Sequence, residues 1–496
     1  THSPFMQGLS GAYVYAGGAI IDSSNSTIGI QQALLAPIGY GVTNIALTSG
    51  GTDYVGAPVV RIVGGSGTGA TAVAEIDLAT GSITNILITS AGSGYLPTDS
   101  LWITLEGGGA ITPAVLGAVG WDTNSPLGGL VKLGTGTLML GGDSTYLGGT
   151  IVSNGNLQIG MGTATGSVLG AVTFVNPAST LAFNRTDTIT NGYALVTPNG
   201  NIASLIQNGR GGTLVLTNTA PQFNSVVVNT GNVFFASTGT IPGAGATITN
   251  NQRGAVVVDG AYTTVGGWLA SGRIATNAAG ALALTGSTAE NINMAGYPTL
   301  SLGAASGAAA TYLGTLTPAS NTYYIGGGGG QLVLGADNQL VDNGRTNRNL
   351  VIQNGGLGTV VTILGPNTYN GGTTLNDGTL QIEADNALGY GPLTLNAAGT
   401  MLQITNAPTF ASSRLLGIAT GGGTVTLDVG AGSTAIWYGV ISSAGGGFVY
   451  RQGGGTLILS NATFTAANSV FEKNGTTIID SGAAMYTAGN YHNVGH

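Results

Sequence analysis

The 496-residue sequence predicts an all-β solenoid. Three observations carry that prediction. Apolar and polar residues alternate in short runs, the period of a half-buried strand. Glycine (89 residues) and Asn-Gly pairs interrupt those runs at turn spacing. One strand–turn–strand cassette then returns along the chain. A unit that cannot bury its own apolar face must stack on copies of itself.

The clearest cassette is Gly136 to Gly160, GTLMLGGDSTYLGGTIVSNGNLQIG. Leu138 and Leu140 share one face of its first strand, because alternate strand residues point the same way. Val152 faces inward on the second strand, and Leu157 and Ile159 on the third. Asn154-Gly155 makes the turn, since both residues tolerate positive φ. A second copy, Leu205 to Ala236, supplies Leu214 and Leu216, with Phe223, Val226, Val228, Val233 and Phe235 after them. A third, Leu357 to Ile382, supplies Val361, Ile363, Leu375, Leu380 and Ile382. A looser fourth, Phe448 to Asp480, supplies Leu457 and Leu459. Its longer spacing to Gly475 predicts a bulge that turns Glu472 and Lys473 outward. These residues form the expected core, with rungs about 4.8 Å apart. Coils of roughly 20–30 residues would build a rod.

GTLxL, TYxGGT and NxGxLxI, as they stand in the first and third copies, resemble the autotransporter-associated β-strand repeat. That repeat is also called the passenger-associated transport repeat, and it occurs in large secreted surface proteins of Gram-negative bacteria. The resemblance covers roughly a quarter of the chain as separated copies. It implies a right-handed β-helix, secreted or held at the cell surface of a Gram-negative bacterium. It implies no chemistry, because the family has no common active site.

Taken in order, residues 1–41 read as an N-terminal cap or an assembly arm. Residues 42–119 hold a second repeat: VTNIALTSGGTDY from Val42 and ITNILITSAGSGY from Ile83. Each copy runs on through a proline turn (Pro58, Pro97), a strand and a glycine tract. Similar Gly/Tyr/Pro modules accompany such repeats and occur in some phage fibre proteins, so a compact β insertion on the solenoid is expected. Residues 120–245 are a first solenoid run and 246–330 an irregular one. Residues 331–496 are a second run with a C-terminal cap. No helix is expected; the best candidate, Ile30 to Pro37, offers one or two turns.

Composition excludes several kinds of chemistry. Charged residues make up 6% of the chain, against about a quarter in ordinary soluble domains. The net charge is −8 and no basic run exists to neutralise phosphates, so nucleic acid is excluded as a partner. Without cysteine there are no disulfides and no thiolate metal sites. No apolar run is long enough to span a membrane, despite a mean hydropathy of +0.32. THSPFMQGLS has neither the basic nor the apolar part of a leader, and no barrel-like tail follows. A processed product or part of a larger protein is therefore expected.

Candidate sites are few. His2, His492 and His496 sit at the termini, which do not hold an imidazole rigidly enough for a triad or a metal. Glu383 with Asp385, and Glu75 with Asp77, could take calcium or do acid/base work, but they read as solvated strand ends. Arg61 and Arg414 are distant from them in sequence, although coils could stack them. The tract GGSGTGA at 64–70 lacks a following GK[ST] and a helix, so it reads as a flexible turn. Tyr146 and Tyr369 occupy the same place in two cassettes and read as rung packing. Trp102, Trp121, Trp268 and Trp437 are the pool for any glycan platform. No catalytic, cofactor-binding or metal residue is assigned, no cofactor is expected, and the chain is not read as an enzyme.

The leading expectation is an extracellular structural protein that polymerises head to tail into a filament, sheath or surface layer. So few charges leave little repulsion between copies. Tyr13, Val14, Tyr15, Ile20 and Ile21 of one copy would meet Ile478 and Ile479 of the next. The alternative is a monomeric autotransporter-type adhesin passenger that binds glycan or another cell surface through residues 42–119. A weaker alternative is a secreted polysaccharide-degrading β-helix enzyme using Glu383 and Asp385.

Overall fold

Alternation in the sequence becomes alternation in burial. In Thr137–Leu140, Leu138 and Leu140 are buried while Thr137 and Met139 are half-buried. Thr213–Leu216, Thr379–Ile382 and Thr456–Leu459 repeat the pattern. Each buried Leu or Ile contributes about 1.5–3 kcal/mol. One coil holds only a few of them, so the fold stands by stacking.

The computed structural model describes residues 5–218, 223–243, 245–353, 358–411, 413–418, 423–443 and 448–493. Strand accounts for 49% and helix for 3%, and the fold is an all-β solenoid. The chain divides into two compact units: residues 1–157, 165–176 and 193–199, and residues 158–164, 177–192 and 200–496.

In the first unit a parallel sheet runs through Ala19–Asp22, Leu130–Leu133, Thr150–Val152, Val172–Phe174 and Leu195–Val196. Leu130 lies against Thr150 and Thr150 against Val172, which puts the coil length at the short end of the solenoid range. Thr27–Ile30 pairs with Thr137–Leu140, which sets Ile28 beside Leu138 and Ile30 beside Leu140. The coil at 19–35 therefore neighbours the coil at 130–145, although all of 36–129 separates them in sequence. Ala12–Tyr13 pairs with Leu34–Leu35, and Met6 bridges Ile30. This corrects part of the expected assembly surface. The Tyr13 backbone is already paired within the chain, and Val14 is buried in the chain's own core. Tyr15 and Ile21 are half-buried; Ile20 is exposed.

The segment between those two coils leaves the stack and folds on itself. It forms six antiparallel strands: β1 (Tyr40–Ser49), β2 (Val59–Gly64), β3 (Thr68–Asp77), β4 (Ser82–Ser93), β5 (Leu101–Glu106) and β6 (Val115–Thr123). The two sequence repeats are β1–β3 and β4–β6, and they exchange strands. β1 pairs with β6, β4 with β3, and β2 with β5. Equivalent residues enter one core: Val42 and Ile83, Ile45 and Ile86, Tyr54 and Tyr95. The two ends of the module meet, with Tyr40 opposite Thr123 and Asn124 N donating to Gly39 O at 2.9 Å.

In the second unit Thr180–Arg185, Ile202–Gln207, Phe223–Val228 and Thr247–Asn250 pair in succession. A parallel sheet of fourteen described strands runs from Thr188–Asn191 to Ala484–Thr487. A second, of nine, runs from Ala309–Tyr312 to Tyr491–Asn493. Leu350 lies against Thr373, Thr373 against Leu393 and Leu393 against Leu416, so the coil length of the first unit is kept here.

Two local expectations need correction. A short α-helix, Val265–Ala270, forms where none was expected. Gly266 and Gly267 disfavour it, but Thr264 Oγ1 accepts from Gly267 N, and the Glu290 carboxylate accepts from Val265 N and Gly266 N. The fourth cassette has no bulge at Glu472. Arg451 and Glu472 pair in register, and Glu472 is buried, accepting from Thr477 Oγ1 and the Tyr491 hydroxyl. Arg451, one coil back, adds a Coulombic attraction to that carboxylate. Lys473 is exposed.

Candidate functional site

The sequence-predicted acid pairs do not converge on anything. Asp385 lies in a one-turn 3₁₀ segment, Asp385–Leu388, and accepts from Arg414 Nε at 2.6 Å. Glu383 is exposed. Glu75 accepts from Asn85 Nδ2 at 3.0 Å. Asp77 closes its own turn; the Ala79 N–H and then the Thr80 hydroxyl hold its carboxyl below the usual value. Among the described residues no three His, Asp or Glu side chains gather closely enough to hold a metal ion. His2 and His496, and the His492 side chain, lie outside the described residues.

The tract at 64–70 is a held turn. Asp99 accepts from Ser66 N, Ser66 Oγ and Leu96 N at 3.0, 2.7 and 2.8 Å. Tyr146 and Tyr369 are fully buried, and each hydroxyl meets the threonine four residues on, Thr150 and Thr373. Burial pushes the Tyr146 phenol up to about 12.

The cassettes contain buried donors that the sequence reading missed. Lys132 Nζ donates to the carbonyls of Gly134, Gly136 and Asn154 at 2.5, 2.6 and 2.8 Å. Gln207 Nε2 donates to Gly212 O and Asn232 O. The Arg451 guanidinium donates to the carbonyls of Gln452, Gly453, Gly455, Asn474 and Thr476. Each residue precedes the glycine turn that opens a GTLxL-type strand. Their donors bond turn carbonyls inside the coil; those of Gly136, Gly212 and Gly455 also accept from the backbone N–H of Asn156, Asn232 and Thr476, so for these the side chain adds a second bond. The signal was a lone long polar residue on the inward phase of an apolar strand.

The tryptophans separate by exposure. Trp268 and Trp437 are buried, the latter stacked on Phe410 at 4.1 Å. Trp121 is half-buried, 5.6 Å from Tyr95. Trp102 is 72% exposed. It sits on β5 opposite Val63 of β2, with Arg61 opposite Thr104 and Val59 opposite Glu106. Arg61, Val63, Trp102, Thr104 and Glu106 line a shallow cleft of about 210 Å³. Arg61 Nη1 lies 3.6 Å from Glu106 Oε1, and both side chains are more than half exposed. Val73 on β3 and Leu87 on β4 pair with each other and extend the apolar strip. The opposite face of this sheet, with Ala70, Ala72, Ala74, Ile83 and Ile86, is buried. In the second unit a larger cleft of about 510 Å³ is lined by Gln252, Arg253, Gln353, Asn376, Asp377 and Asn396, with Ala397. It has no aromatic wall.

The family model of the passenger-associated-transport-repeat matches residues 130–159 and 358–382. The chain carries passenger-associated transport repeats. These two repeats are the coils that hold the Tyr146–Thr150 and Tyr369–Thr373 contacts. The chain is also 30% identical over 167 residues to the adhesin BmaC autotransporter of Brucella suis biovar 1 (strain 1330). That alignment covers 32% of this chain and 5% of the relative's length. No solved structure matches.

Proposed function

We propose that this chain is a stretch of the passenger of an autotransporter-type adhesin, carried outside a Gram-negative cell. The solenoid is the stalk, and the six-stranded module at 40–123 makes the contact. The observation that carries the reading is the exposed apolar face of that module around Trp102. Of the acidic pairs, Asp77 is held in its own turn, Glu75 by Asn85 and Asp385 by Arg414, which supports a non-enzymatic role. The repeats and the similarity to a protein named an adhesin support it. Polymerisation head to tail has less support. With Val14 in the core, its apolar contacts reduce to exposed Ile20, Ile478 and Ile479 and the half-buried Tyr13, Tyr15 and Ile21.

Excision tests the reading. Residues 40–123 can be removed by joining Gly39 to Asn124, whose backbone groups already bond. The excised chain is expected to keep its solenoid by circular dichroism and protease resistance. Beads coated with it are expected to lose attachment to bacterial and animal cells that the intact chain binds. Undiminished attachment without the module would refute the assignment.

A further inference from the structure

We propose that Arg61, Val63, Trp102, Thr104 and Glu106 form a binding site for an uncharged hexopyranose unit of a surface glycan. The inference rests on the reading of the module as the contact element and names its ligand.

A pyranose ring has a C–H face and a rim of hydroxyls. The C–H face needs a flat apolar platform. Trp102 offers an indole that is 72% exposed, with the exposed Val63 directly opposite on the neighbouring strand. An indole left in water exposes a large apolar surface, and aromatic side chains with one apolar and one polar aspect favour interfaces. The hydroxyl rim needs donors and acceptors side by side. Arg61 donates, Glu106 accepts, and Thr104 does both. These groups share one face because they alternate along β2 and β5.

Charge narrows the ligand. Arg61 and Glu106 lie 3.6 Å apart and offset each other, so the cleft has polar groups without net charge. An acidic sugar would meet the Glu106 carboxylate beside the Arg61 cation. A neutral sugar can use both groups at once. The cleft, about 210 Å³, suits a sugar ring. A stable protein interface needs about 800 Å² per partner. The β2–β5 ladder pairs six residues on each strand, which holds the groups in place before a ligand arrives.

The larger cleft of the second unit is a poorer candidate. Its amides and its Arg253–Asp377 ion pair bond well to water, and it offers no aromatic surface to bury.

The test uses the whole chain and its own fluorescence. Trp268 and Trp437 are buried and Trp121 is half-buried, so a ligand-dependent emission change reports mainly on Trp102. Lactose, maltotriose, cellotriose and a mannotriose are the probes, with sialyllactose as the acidic comparison. Saturable quenching or a blue shift is expected with at least one neutral probe. Calorimetry with that probe should show Trp102→Ala weakening binding about tenfold or more. Trp102→Phe should lose less, and Glu106→Gln and Arg61→Gln should each weaken binding. Leu78→Ala, at an exposed position outside the cleft, should change nothing. No response to any neutral probe overturns the site. So does binding that survives Trp102→Ala unchanged, or a response confined to sialyllactose. Cell attachment separates the two readings. If beads carrying Trp102→Ala attach normally while the excised chain does not, the sugar site falls and the adhesive module stands. If excision has no effect, the adhesive module falls as well.

Discussion

Arg414 reaches back across one coil to Asp385, Nε to Oδ1, over a sequence separation of 29 residues. Arg414 is 3% exposed, and its remaining donors go to the carbonyls of Gly389, Gly391 and Asp385. Half of the most credible acid pair is thus the counter-ion of a buried cation. Asp385→Ala leaves that cation unpaired and should destabilise the chain by about 3 kcal/mol. Glu383→Ala, at an exposed position, should stay within about 0.5 kcal/mol. Denaturant unfolding of the two variants checks this; equal effects would contradict the ion-pair role.

Lys132 makes a second test. Lys132→Met keeps the apolar stem and removes the donors to Gly134, Gly136 and Asn154. Gly136 O keeps its bond from Asn156 N, so the carbonyls of Gly134 and Asn154 are the two left short, at about 1 kcal/mol or more each, and a loss of about 2 kcal/mol is expected. Burial lowers the Lys132 ammonium pKa, with Asp22 acting weakly the other way. A ladder indifferent to Lys132→Met would show that water replaces the ammonium.

Coil spacing should be intolerant of side chains at the corners. A β-carbon on Gly391 would collide with the Gly371 carbonyl oxygen of the neighbouring coil, whereas one on Gly296 meets nothing within 4 Å. Gly391→Ala should cost about 3 kcal/mol by overpacking, and Gly296→Ala less than about 0.5 kcal/mol. Thermal melts of the pair decide it.

Alkaline pH should act through the buried tyrosines. Burial raises the Tyr146 phenol from 10.0 to about 12, despite its bond with Thr150. A folded-state pKa above the unfolded one gives stability that is complete below pH 10 and lost as pH rises to 12. The same direction holds for Tyr369. Tyr146→Phe should lose about 1 kcal/mol at neutral pH from the missing hydrogen bond. It should then fall less steeply than the parent between pH 10 and 12. Identical alkaline limbs would sink this account.

What was legible in the sequence is what local spacing encodes. Leu138 with Leu140, and Val361 with Ile363, announce an inward face because a strand's period is two. What was hidden depends on a neighbour a coil away. Lys132, Gln207 and Arg451 look like interruptions of apolar strands until the next coil brings its carbonyls. Glu472 looks like a surface carboxylate until Arg451 lies in register with it. The helix at Val265–Ala270 depends on Glu290, 25 residues from Val265, and its own Gly-Gly argues against it. The module's repeat was visible, but its strand exchange was not, since which copy pairs with which is decided only in three dimensions. Trp102 could be named as one of four tryptophans; its exposure comes from the strand phase on β5.

The meeting of Gly39 and Asn124 has a consequence for how such a surface changes over generations. The segment 40–123 leaves the stack and rejoins it at one point, closing its own loop through the Tyr40–Thr123 pair. The coils on either side stack as if nothing stood between them. Substitution, or wholesale replacement, within that segment need not shift the register of any rung. The corner behaves as a socket: the segment it holds is free to vary, while the coils on either side stay under the packing constraints of their own rungs.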